Sequence, residues 1–344
     1  MQLLKQASVG ILCTGLLLGC GNSSPKIVGK GKEVKDQVSE KPKDVQTFMP
    51  KVDILFVIDS SYSMDIAQAN LSANAALFST EIAKMSLLDF HIGVITTDME
   101  SRQESGRLHR NLDRSEPAVL EKNTPMLAEI LAARMLVGTA GSGTEKMYDP
   151  VVSALSFPLE AGENKGFYRQ DAYLAVIFVT DAPEQSYMTT PKFLDFLVKK
   201  KGDMSKVLGY GVIRSLLSAR SCPTGEEWSQ KLENFLDLLV TGGVGQRNIL
   251  SLCEENYGAK LVEFAKDIVN RSAGRIRLNR IPDPTTIRIT YGTQVISNSQ
   301  TDGWVYENST NSVLLSPNIV WTEQPGAEGL AVDFKAYDTG EDSN

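Results

Sequence analysis

The chain has 344 residues, of which 42% are hydrophobic and 22% charged, a composition that excludes extended disorder and repeated membrane spans over most of its length. That length fits one large domain with a small appendage. A formal charge of −7 excludes the clustered cationic surface that nucleic acid requires, so no nucleic-acid partner is expected.

Residues 1–20 form the first segment. Lys5 precedes an apolar run from Val9 to Leu18 that is too short to span a bilayer and reads as the apolar region of a secretory signal. The run ends in Leu17-Leu18-Gly19-Cys20, which resembles the lipobox of bacterial lipoproteins. That resemblance implies cleavage before Cys20, lipidation (palmitate among the acyl groups) of Cys20, and membrane attachment through it. Gly21 after the cysteine implies sorting to the outer membrane, on either its periplasmic or its surface face. Cys13 leaves with the signal, so Cys222 and Cys253 remain in an oxidising compartment and are expected to form one disulfide. Residues 21–48, rich in Lys, Glu, Ser, Gly and Pro over most of their length, read as a flexible tether.

Beyond the tether, strands alternate with helices. The apolar runs 52–58, 90–96, 173–180 and 207–213 have the character of strands buried on both faces of a parallel sheet. Leu71, Ala75, Phe78 and Ile82 lie four, three and four residues apart and predict an amphipathic helix. Helices are also expected over 127–136, 191–200, 226–240 and 257–270, while 100–117 reads as an exposed loop or short edge hairpin. The expected fold is therefore α/β, a doubly wound, mostly parallel sheet over 49–281. At Ile281-Pro282-Asp283-Pro284 the pattern changes, and 282–338 reads as a small C-terminal antiparallel β unit followed by a disordered tail, 339–344. Trp228, Trp304 and Trp321 read as packing residues, and Lys199-Lys200-Lys201 as a solvated helix end.

Chemistry concentrates where the first and third of these strands end. Asp59-Ser60-Ser61-Tyr62-Ser63 follows one, and Asp181 ends the other. Ligands of open parallel sheets bind beyond the carboxyl ends of strands, at the switch point. Oxygen donors of this kind suit Mg²⁺, Mn²⁺ or Ca²⁺ rather than Zn²⁺. The pattern resembles the metal-ion-dependent adhesion site (MIDAS) of von Willebrand factor A domains. The resemblance implies metal ligation by Asp59, Ser61, Ser63 and Asp181 together with a threonine of the Gly-rich segment 138–145. Thr144, which follows Gly143 at the turn, is favoured for that role, with Thr139 as the alternative; Asp98 is expected to border the site.

The same resemblance implies a binding module rather than an enzyme: a protein partner would offer an acidic side chain to the metal. Hydrolysis would need a positioned base, and of the two histidines His91 reads as a satisfied core residue and His109 as a solvated one. No P-loop or nucleophile elbow is present. The expected role is adhesion or complex assembly at the cell envelope, with a metal-independent structural or scaffolding lipoprotein as the alternative.

Overall fold

The computed structural model describes residues 44–337 apart from 86, 112–114, 216–227, 241–247, 317, 323 and 326–328. The signal segment, Cys20, most of the tether, Cys222 and the tail 339–344 lie outside the described residues.

Continuous apolar runs become the central strands, because only a strand covered on both faces can bury such a sequence. In chain order the first elements are β1 (Asp44–Phe48), β2 (Lys51–Ile58), α1 (Asp65–Ala73), α2 (Ala75–Ala83), β3 (Asp89–Thr96), β4 (Leu120–Glu121), α3 (Leu127–Met135) and α4 (Tyr148–Ala154). They are followed by β5 (Tyr173–Thr180), α5 (Thr190–Lys201), β6 (Val207–Ile213), α6 (Gln230–Asp237), β7 (Ile249–Ser251) and α7 (Tyr257–Ala273). A six-stranded sheet runs in the order β4-β3-β2-β5-β6-β7, parallel except for the antiparallel edge strand β4. This is the doubly wound α/β fold expected from the sequence.

Alternation along β2 divides the core. Val52, Ile54, Phe56 and Ile58 face α1, α2, α3 and α7, while Leu55 and Val57 face α4, α5 and α6. Each such side chain, once fully buried, contributes roughly 1.5 to 3 kcal/mol. The single helix expected over the Leu71–Ile82 stripe is two, since Asn74 (φ −108, ψ 3) interrupts it and its amide group bonds back to Asn70. Pro191 in the first turn of α5 and Gly202 in the left-handed conformation after it (φ 70) bound that helix as their chemistry favours. Two elements escape sequence reading, α4 and the three-residue β7, because both are shorter than a periodicity window.

The remaining strands are β8 (Arg275–Arg277), β9 (Arg288–Tyr291), β10 (Gln294–Ile296), β11 (Trp304–Glu307), β12 (Ser312–Leu315) and β13 (Leu330–Phe334). They form two antiparallel sheets, β1-β13-β9-β10 and β11-β12-β8. The tether does not extend to residue 48 as expected, because Asp44–Phe48 pairs with Leu330–Phe334, nearly three hundred residues away. The expected boundary at 281/282 also fails. β8 lies before it yet pairs with β12, and one apolar core joins Ile276, Ile289, Trp304 and Leu330 to α7 and the large sheet. Pro42–Tyr337 is accordingly one compact unit.

Two side chains expected in solvent are not there. Lys201 is only 3% exposed, donating to Arg169 O at 2.6 Å, because the last turn of α5 presses it against Tyr168 and Asp53. His109 is partly buried, its amide donating to Val94 O at 2.7 Å, and burial lowers its pKa. His91 is the satisfied core histidine expected, its Nδ1 3.0 Å from Phe167 O. Trp304 is buried and donates through Nε1 to Ile296 O at 2.9 Å, Trp321 packs edge-on against Tyr291, and Trp228 is 42% exposed.

Candidate metal centre

The strand order places the switch point between β2 and β5: from β2 the chain moves outward to β3, and from β5 it moves the opposite way to β6. Both candidate carboxylates stand there. Asp59 leaves β2 fully buried, with its amide donating to Val179 O of β5 at 2.9 Å. Its Oδ1 accepts the Ser61 amide at 2.8 Å, and its Oδ2 accepts the Thr180 hydroxyl at 2.6 Å. Burial holds the Asp59 pKa above the ordinary carboxylate value against the pull of those two donors, and the charge of Asp181 adds to the rise.

Ser61 and Ser63 occupy a tight turn in which the Met64 amide donates to Ser61 O at 3.1 Å and the buried Met64 side chain anchors the start of α1. The two hydroxyl oxygens lie 3.1 Å apart. Adjacent ligands of an octahedral ion with bonds of about 2.1 Å stand about 3.0 Å from each other, so this pair has the spacing that Mg²⁺ or Mn²⁺ would require. Ser63 and Asp181 line one cavity of about 510 Å³, together with Ile66, Asn70, Arg214 and Glu254. Arg214 Nη2 lies 3.6 Å from Asp181 Oδ2.

Loop 138–145 reaches the same rim through a second set of bonds. Gln68 of α1 donates to both Asp59 O (2.9 Å) and Gly138 O (2.8 Å) and accepts the Gly138 amide at 3.1 Å. The Gly141 amide donates to Ser60 O at 2.9 Å, and a Cβ at Gly141 would sit 2.1 Å from Ser60 Oγ, so only glycine permits this approach. Downstream, buried Glu184 accepts the Met147 and Tyr148 amides at the start of α4 and pairs with Lys231 at 2.6 Å. These contacts hold the segment between them in place.

Within that segment Glu145 is 2% exposed, receives the Thr97 hydroxyl at 2.5 Å, and leaves Oε1 without a hydrogen-bond partner. Its pKa is pushed up to about 8, first by burial and then by the negative charge of Asp59, with Asp181 contributing further. A buried carboxyl facing two others is an arrangement a bound cation would relieve. The donor set therefore fits a hard divalent ion. Among the described residues no group of three or more His, Cys, Asp or Glu is placed to hold a metal, so cation binding at this rim relies on hydroxyl oxygens.

Of the residues singled out from the sequence, Asp59, Ser61, Ser63 and Asp181 are linked by these bonds, charges and shared cavity. Thr144, its amide 3.0 Å from Ser142 Oγ, is joined to them through its chain neighbour Glu145. Thr139 and Asp98 line a different cavity, with Ser60 and Glu104. Thr180, Gln68, Thr97, Glu145 and Arg214 escaped sequence reasoning. Only Thr180, next to Asp181, carried a local signal, and its bond to Asp59 depends on β2 and β5 being neighbours.

No protein-family model matches this chain, and no curated protein sequence does. Among solved structures, proximal thread matrix protein 1 from the mussel byssus aligns over 65% of this chain and 47% of its own, at 14% identity and TM-scores of 0.34 to 0.35. One of its structures has a zinc-occupied MIDAS motif. The pilus adhesin SpaC from Lactobacillus rhamnosus GG aligns over 84% of this chain and 39% of its own, at 10 to 11% identity and TM-scores of 0.38 to 0.41. The chain thus spans less than half the length of either structure.

Proposed function

We propose that this chain is a von Willebrand factor A-type binding module, lipid-anchored to the cell envelope, that captures an acidic side chain of a protein partner through a divalent cation. The observation that carries this reading is the placement of the Ser61 and Ser63 hydroxyls 3.1 Å apart beside Asp59 at the β2/β5 switch point, with Asp181 across it. Ser61, Ser63 and Thr144 are the hydroxyl ligands in this proposal, with Asp59 and Asp181 as the carboxylates. Thr180 and the Ser61 amide orient Asp59. When bound, Mg²⁺ or Mn²⁺ supplies an electrophilic position that a carboxylate from outside completes. The role is binding, not turnover.

Calorimetric titration with Mg²⁺ and Mn²⁺ tests the core of the proposal. Saturable heat that Asp59→Ala or Ser61→Ala removes, with the fold retained, is the expected result, and a chain that binds neither ion in either form ends it. Thr144→Ala and Thr139→Ala compared in the same titration assign the threonine. Cys20 lipidation and outer-membrane attachment predict a mature N-terminus at Cys20 carrying acyl mass, recovered in the outer-membrane fraction. A Cys222–Cys253 disulfide predicts a mass gain of about 2 Da on reduction, one hydrogen per sulfur.

A metal-independent scaffolding role draws on one observation. Arg214, 3.6 Å from Asp181, already sets positive charge at the rim. Partner capture unchanged in excess chelator would select that reading.

A further inference from the structure

On the far side of Ser60 from the cavity that holds Ser63 and Asp181, a second, half-enclosed cavity of about 250 Å³ opens between the end of β3 and loop 137–141. Its lining is almost entirely oxygen-bearing: the carboxylates of Asp98 and Glu104 and the hydroxyls of Ser60, Thr96, Ser101 and Thr139. The acids are held in place rather than splayed into solvent. Asp98 Oδ1 accepts the amides of Glu100 (2.7 Å) and Ser101 (3.0 Å), and Glu104 Oε2 accepts the Thr96 hydroxyl at 3.2 Å. Nearby arginines are engaged elsewhere, Arg107 with Glu163 and Arg134 with Glu116.

Ser60 supplies the independent indication of a ligand. It is 4% exposed, it lines this cavity, and its Oγ has no hydrogen-bond partner. A buried hydroxyl left without a partner costs about 1 to 3 kcal/mol. Gly141, which forms the facing wall, offers it no polar side chain. Two carboxylates and several hydroxyls around a space wider than one water match the coordination of Ca²⁺, which takes six to eight oxygens in flexible geometry.

We propose that this cavity is a second divalent-cation site, preferring Ca²⁺, held by Asp98 and Glu104 with Ser60, Thr96, Ser101 and Thr139 completing the shell. It is separate from the Asp59 centre, and it ties loop 137–141 to the end of β3. Neither site needs the other to be filled.

The test is titration of the full chain with Ca²⁺ alone and with Mn²⁺ alone, followed by Mn²⁺ anomalous scattering from crystals. Two binding events are expected in the unsubstituted chain. Ser61→Ala removes one of them. Glu104→Gln weakens the other about tenfold or more while leaving the first in place, and Ser60→Ala weakens the same event about tenfold. Asp98→Asn abolishes it; because Asp98 also organises the backbone, the Glu104→Gln result decides if the Asp98 variant fails to fold. A single event that Ser61→Ala abolishes overturns this proposal and leaves the Asp59 centre standing. Two events that Glu104→Gln leaves unchanged overturn it, as does a crystal with only water in the cavity at saturating Mn²⁺. A Ca²⁺ event that survives Ser61→Ala while no other is seen supports this site and removes the first.

Discussion

Asp59 shows how little of a site's chemistry belongs to the ligand residue alone. Its two oxygens are aimed by the Ser61 amide and the Thr180 hydroxyl. Thr180→Val keeps the shape of a fully buried side chain and removes one of these donors, so cation affinity is expected to fall about tenfold while stability changes by about 1 kcal/mol. Calorimetry and urea unfolding on the same preparation separate the two effects. A second residue-level prediction concerns Lys201, whose pKa burial pushes down to about 8, with Asp53 opposing. In the unfolded chain the group keeps its ordinary, higher value. Between about pH 8 and the unfolded value the unfolded state binds more protons, so stability rises with pH through that window and falls as pH drops back toward 8. Lys201→Met is expected to flatten this dependence, by at most about 1.4 kcal/mol per pH unit, in urea unfolding measured from about pH 7.5 to 10.

At the scale of elements, the rim is assembled from two strand ends, one tight turn and one glycine loop. The loop is the weakest of these in regular structure and depends most on single contacts. Gly141 lies against Ser60, and a methyl group there would meet both the Ser60 hydroxyl and its backbone oxygen. Gly141→Ala is therefore expected to push the loop off the turn, costing about 1 to 3 kcal/mol in chemical denaturation. The same change should weaken cation binding at both rim sites, since Ser60 joins one cavity and borders Ser61 of the other. Helix α4 was beyond the reach of sequence periodicity. Its seven residues carry little periodic signal, and its position is set by Glu184, which accepts its first amides from a loop more than thirty residues downstream.

Across the whole molecule, the N-terminal strand and the C-terminal β sheets close on one another rather than trailing from a central domain. β1 forms an edge of the β1-β13-β9-β10 sheet, and Phe48 packs on the main core. A chain beginning at Pro50 is thus expected to melt several degrees below one beginning at Pro42 in circular dichroism, because β13 loses its backbone partners. Ending the chain at Ile281 should be far more damaging. It strips β8 of β12 and exposes Ile276 and the α7 face, so the fragment is expected to aggregate or to lose near-ultraviolet dichroism.

The doubly wound core and the Asp-x-Ser-x-Ser turn were legible in the sequence for the same reason: hydrophobic runs buried on two faces and polar residues packed into a turn are properties of contiguous residues. Val52 to Asp59 carries its own instructions, as does Tyr173 to Asp181. Relations between distant residues were decided only by the tertiary structure. They include the pairing of Asp44–Phe48 with β13, the bond from Thr180 to Asp59, the carboxyl of Glu145 facing Asp59 and Asp181, and the cavity that Ser60 shares with Asp98 and Glu104. Such contacts form between segments separated by forty to nearly three hundred positions. Their energy depends on burial and neighbouring charge, which exist only once the chain has closed.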